Sequence, residues 1–185
     1  MELKMQKMQN KKSKQRGSSL IEMLIACLVL IVGVAGVVTL IPIAIGANSR
    51  NRQQSNSTVI AQMVMEKILS VPAGTAIVLT INDCVPNTYN INTAGSTGAG
   101  SGATLLASGD VNFNVAAPAG YSMLYTACGP TGGQSVYDVR WNIQQPTTPT
   151  FVKMITVSAK LRGSGNDLKY FSLPVSIRST AGSGS

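Results

Sequence analysis

Glu22 is the only formal charge between Leu20 and Ile45, in a run that is otherwise almost wholly apolar. A carboxylate among apolar helical side chains is costly in a bilayer, so its position marks a functional site by default. No second constellation competes with it for chemistry. The chain has no histidine, which removes the commonest general base and the commonest metal ligand. The seven acidic residues are scattered, and no Gly-x-Ser-x-Gly elbow is present. Cys84 and Cys128, two thiols without partner ligands, make no zinc site. The residues therefore point to no catalytic group, metal or cofactor, and to a task other than catalysis.

The element that must position Glu22 is a helix. The stretch from Gly17 to Ala47 is long enough to span a bilayer, which takes about 20 apolar residues. It exceeds the h-region of a secretory signal, about 7–15 residues, and Ala44-Ile45-Gly46 is a poor small-residue cleavage site. Six basic residues (Lys4, Lys7, Lys11, Lys12, Lys14 and Arg16) precede the span, while only Arg50 and Arg52 closely follow it. By the positive-inside rule the amino terminus stays cytoplasmic and the downstream domain is exported. The leader also dominates the charge. Residues 1–17 carry +5 of the net +8, and the remainder has 9 basic against 6 acidic residues. A nucleic-acid partner is thus not supported by the whole-chain charge.

The run Lys14-Gln15-Arg16-Gly17 followed by Ser18-Ser19-Leu20-Ile21-Glu22 resembles the prepilin processing site of type IV pilins and type II secretion pseudopilins. The resemblance spans about 30 residues: basic leader, glycine, Leu-Ile-Glu and long apolar run. It implies cleavage after Gly17 by a prepilin peptidase and N-methylation of the new terminus, Ser18. The family usually has phenylalanine where this chain has Ser18. Cleavage would give Ser18 a cationic amine, and a glutamate buried among apolar helices needs a cationic partner. In the family's filaments that partner is the terminal amine of a neighbouring subunit, so Glu22 is the expected assembly and register carboxylate. Pro42 removes one backbone hydrogen bond and is the expected helix kink. Gly33, Gly36 and Gly46 permit close helix contact.

Beyond the span, Asn48–Thr58 is polar, and Ile60, Met63, Val64 and Ile68 recur at helical spacing up to Val71-Pro72. A helix from Ser18 to about Leu69 would be ~78 Å long at ~1.5 Å per residue. From Ala76 the period changes to two. Segments 76–81, 111–115, 122–127, 135–143, 151–161 and 170–177 read as strands. Tyr137, Val139, Trp141 and Ile143 share one face, as do Phe151, Ile155, Val157, Ala159 and Leu161. The connector QQPTTPT makes these two strands a hairpin, and Pro174 places the last strand at an edge. The expected fold is α+β and type IV pilin-like: one long amino-terminal helix packed on an antiparallel sheet of about four to six strands. The expected domains are a cleaved leader (1–17), a membrane or filament-core helix (18–47), an amphipathic helix half (48–71) and an exported β-rich head (72–185).

Within the head, Asn92–Ala103 is rich in glycine and serine and reads as a flexible surface loop, since no strand-then-helix context supports phosphate binding. Cys84 and Cys128 bracket it and form a candidate disulfide, as expected of an even pair in an exported domain. Tyr-x-Val-x-Trp (137–141) followed by Lys-x-Ile-Thr-Val (153–157) resembles the carboxy-terminal half of pilus-modification (V-type) minor pilins. The resemblance implies a minor pilin, with prepilin peptidase, other pilin subunits, the pilus assembly machinery and the inner membrane as partners. It implies a single-pass precursor that moves into a surface pilus. A pseudopilin and a competence-type pilin are the alternatives within the class. For DNA binding the basic candidates are Arg140, Lys153, Lys160, Arg162 and Lys169, read as charges on a solvated hairpin face. A membrane-anchored ligand-binding domain is the alternative from another class.

Overall fold

The computed structural model describes residues 19–129, 132–146, 152–163 and 174–182. The leader with Gly17, Ser18, connector residues 147–150, Phe151, Lys169 and residues 170–173 of the last anticipated strand lie outside the described residues. Two compact units divide between Gly46 and Ala47.

Helix α1 (Leu20–Leu69) begins where the Ser19 carbonyl accepts from the amides of Glu22 (2.9 Å) and Met23 (3.2 Å). In the first unit its large apolar side chains, from Leu20 to Ile45, are exposed around the whole circumference. An 18-residue window there has a mean hydropathy of 3.0 with none of it buried, so the helix is long and apolar enough to cross a membrane. Pro42 lies inside the helix without ending it. Thr39 Oγ1 donates back to the Gly36 carbonyl at 2.8 Å.

In the second unit the same helix buries Ser57, Ile60, Ala61, Val64, Met65 and Ile68. Their three-and-four spacing makes one apolar stripe. The helix ends just before Pro72, which cannot continue it. The stripe packs on a core that also takes Tyr137, Val139, Trp141, Ile143, Ile155, Val157 and Ala159.

Seven strands follow among the described residues: β1 (Val78–Asn82), β2 (Thr88–Asn92), β3 (Ser101–Gly102), β4 (Ser122–Cys128), β5 (Gln134–Gln144), β6 (Val152–Leu161) and β7 (Val175–Gly182). They form two antiparallel sheets rather than one. β1 and β2 make a separate hairpin. The other five make a sheet in the order β3-β5-β6-β7, with β4 sharing the β3 side of β5. Where β4 hands over to β3, the Trp141 amide donates to the Tyr121 carbonyl (3.1 Å) and its carbonyl accepts from Ala103 (2.8 Å). β7 lies at an edge and starts after Pro174, as proline without an N–H requires.

Three readings need correction. Residues 111–115 are not a strand. Val111 makes one bridge to Leu105, the Asn112 side chain accepts from the Asn114 amide, and Arg140 takes the carbonyls of Phe113 and Val115. Local side-chain bonds have captured backbone that a ladder would have used. The 92–103 segment is not a free loop: Thr93 and Ala103 are fully buried, β3 pairs with Asn142 and Ile143, and Asn142 Nδ2 holds the carbonyls of Ala99 and Ala103. Lys153, read as a solvated charge, is fully buried.

Candidate functional site

The site begins outside the described residues, at Gly17 and Ser18, and enters them at Ser19. Glu22 stands in the first turn of α1, where a carboxylate is favoured by the partial positive charge of the helix start. Leu20, Ile21, Met23, Leu24 and Ile25 surround it, all exposed. The carboxylate is thus presented from an exposed apolar surface. A Cβ built on Gly33, Gly36 or Gly46 meets nothing within 4 Å, so those positions are open. Cys27, on the same exposed run, is a free thiol.

The head carries a second constellation. Cys84 and Cys128 are disulfide-bonded with Cα atoms 5.9 Å apart across a separation of 44 residues. Closing a loop of that size is worth ~4 kcal/mol by chain entropy. The bridge joins the β1–β2 turn to the end of β4. Beside it, Asp83 Oδ1 accepts from the amides of Val85 and Asn87, both at 2.9 Å. Its Oδ2 accepts from Asn87 Nδ2 (3.1 Å), the Tyr89 hydroxyl (3.1 Å) and the Thr126 amide (3.3 Å). Burial pushes the Asp83 carboxyl up, but the hydrogen bonds from Asn87, Val85 and Tyr89 outweigh it and hold the group well below the usual carboxylate range.

Lys153 is the other residue that sequence reasoning missed. At the end of α1 its ammonium donates to the carbonyls of Ile68 (2.9 Å) and Val71 (2.6 Å), the first of which also accepts from the Val71 amide at 3.3 Å. Burial pushes its pKa below the ordinary lysine value. Its parity was the available signal, since it falls on the same face of β6 as Ile155, Val157 and Ala159. For Asp83 the signal was the turn-forming run Asn82-Asp83-Cys84-Val85-Pro86-Asn87. Among the described residues, no group of three or more His, Cys, Asp or Glu side chains gathers to hold a metal.

Comparison with known proteins agrees with the amino-terminal geometry. Residues 12–38 match the family model of the prokaryotic N-terminal methylation motif. Comparisons with curated proteins and with solved structures find no match. The matched span contains Gly17, Ser18, Glu22 and the exposed apolar start of α1. A methylation motif at residues 12–38, on a long helix packed against antiparallel sheets in a type IV pilin-like layout, is consistent with the type IV pilin/pseudopilin family.

Proposed function

We propose that the chain is the precursor of a type IV pilus minor pilin, of the pilus-modification kind. The motif itself supports a type IV pilin-like or pseudopilin role. The observation that carries the reading is the continuity of α1: a methylation motif leads into a helix that is apolar and exposed on every face in the first unit, and that lays one buried stripe on a β-rich core in the second. Apolar surface of that extent needs lipid or other helices around it.

In this reading the leader holds the precursor in the inner membrane with the head outside. Prepilin peptidase cuts after Gly17 and methylates Ser18. The assembly machinery then moves the helix from lipid into a filament core. There Glu22 pairs with the amine of a neighbouring subunit, and a slipped subunit would leave charges buried without partners, a cost of several kcal/mol per ion, on the order of the whole stability of a domain. Pro42 supplies the bend, and the task is assembly rather than catalysis. What supports the minor-pilin subfamily is the pairing of the two strands that carry its pattern, with Trp141 opposite Val157 and Ile143 opposite Ile155.

The test is intact mass and amino-terminal sequencing after expression with a prepilin peptidase, beside Gly17→Ala. A mature chain that starts at methylated Ser18, and is lost in Gly17→Ala, is the expected result. An uncut chain, or one cut near Gly46, overturns the reading and leaves a membrane-anchored or a secreted β-domain, respectively, of another task. With processing established, Glu22→Ala is expected to be cut normally but to fail in a piliation assay.

A further inference from the structure

Alternation along β5 puts Tyr137, Val139 and Trp141 into the core and turns Asp138 and Arg140 to the opposite face of the sheet. That outer face carries a groove with no part in the processing or assembly chemistry. Two cavities, of about 890 Å³ and about 420 Å³, share Leu124, Asp138 and Arg140 in their walls and so lie side by side. Arg140 builds the groove. Its Nε and Nη2 grip both oxygens of Asp138 (2.9 and 2.7 Å), and its Nη1 donates to the carbonyls of Phe113 (3.4 Å) and Val115 (2.6 Å). The pair therefore neutralises itself while it fixes one wall.

What remains is an apolar lining of Phe113 and Leu124 with Lys160 and Arg162 beside it. Among the described residues, Asp138 is the only acid lining either cavity. The far end offers uncharged hydrogen-bonding groups from Asn87, Thr88 and Ser122.

We propose that this groove docks an extended acidic segment of a different protein, with its carboxylates on Lys160 and Arg162 and its apolar side chains over Leu124. Charge complementarity selects the class of partner. A second copy of the chain does not fit, because no two of its seven acidic residues lie within sixteen positions of one another and it has no acidic segment to offer. A single-stranded nucleic acid would need an open aromatic ring on which to stack its bases. Phe113 is instead overlaid by the Arg140 guanidinium at 4.9 Å and the Lys160 ammonium at 6.0 Å. The proposal stands on the sheet alone and does not depend on leader processing.

The experiment uses the full chain in non-ionic detergent and fluorescence anisotropy. The probe is a labelled peptide of alternating glutamate and leucine, compared with its glutamine-for-glutamate counterpart and with an oligothymidylate. The acidic peptide is expected to bind roughly tenfold or more tighter than the neutral one, and to weaken with added salt. The double variant Lys160→Glu/Arg162→Glu is expected to lose roughly tenfold or more in affinity, while Lys160→Arg/Arg162→Lys retains it. Circular dichroism checks that each variant is folded, and Arg162→Gln supplies a milder second test. Equal affinity for the two peptides, no binding, indifference to charge reversal or tighter binding of the oligonucleotide each overturns the proposal. The Gly17→Ala chain is expected to bind the peptide unchanged, so failure here and failure of the prepilin reading are told apart.

Discussion

Asp83 accepts from two amides of its own turn, from the amide of Thr126 on β4 and from the Tyr89 hydroxyl. Its folded carboxyl stays ionised at pH values where an unfolded aspartate, at about 3.9, takes up a proton. The resulting stability is fully present above about pH 5 and is lost as pH falls through about 4 and below. Thermal unfolding of the full chain in detergent, followed between about pH 6 and 2, is expected to show this fall and to show it flattened in Asp83→Asn. A pH dependence identical in the variant would remove Asp83 from the account. At Lys153 the expected effect is on packing polarity. Lys153→Met leaves the Val71 carbonyl without its lysine donor and the Ile68 carbonyl with only the Val71 amide, a loss of about 1–3 kcal/mol. A denaturant midpoint lowered at unchanged slope is the readout. Parity marked Lys153 and the turn run marked Asp83, but the partners of neither were legible in the sequence. A lysine in an alternating strand reads as a solvated charge unless the helix end it serves is already known, and an aspartate in a turn does not announce which distant amide it will reach.

Among the elements, α1 was the most legible, because its apolar run, its later three-and-four stripe and its terminal proline are all local signals. β4, β5 and β6 were legible from alternation, whereas β7 (Val175–Gly182) meets the anticipated 170–177 only at 175–177. β2 was not assigned, although Tyr89 and Ile91 alternate with Thr88, Asn90 and Asn92, since its polar positions are turn-forming asparagines. The segment 92–103 misled most, because glycine serves two opposite purposes. Here Gly102 has φ +112°, and a Cβ on it would come within 2.3 Å of the Trp141 carbonyl oxygen. The residue is glycine so that β3 can lie against β5, not so that the chain can move. Gly102→Ala is accordingly expected to cost about 2 kcal/mol or more, through left-handed strain and backbone clash. The same substitution at Gly98, whose Cβ would meet nothing, carries only the strain of its φ of +68°. Comparing the two melting temperatures separates the two contributions.

At the scale of the molecule, the division between Gly46 and Ala47 separates two kinds of surface. Residues Leu20 to Ile45 expose apolar side chains on every face, whereas the second unit keeps its own core of helix and sheet. A chain started at Ala47 is expected to be soluble and monodisperse without detergent, and the full chain to need it. Light scattering after size exclusion makes the comparison, and aggregation of the shortened chain would show that its core is incomplete. Chain order made this division legible, but not the outer groove, whose wall depends on Arg140 reaching carbonyls 25 and 27 residues upstream.

The Cys84–Cys128 bridge has a consequence in time as well as in strength. The cytoplasm keeps thiols reduced, so under the proposed function a head that carries the bond is expected to be one that has reached the far side of the membrane. The bond is therefore a covalent record of topology that persists after the chain is extracted. Alkylation before and after reduction would read it molecule by molecule, sorting chains that have crossed from chains that have not. Cys27, the third thiol, is never part of that record and serves as the internal reference against which the other two are counted.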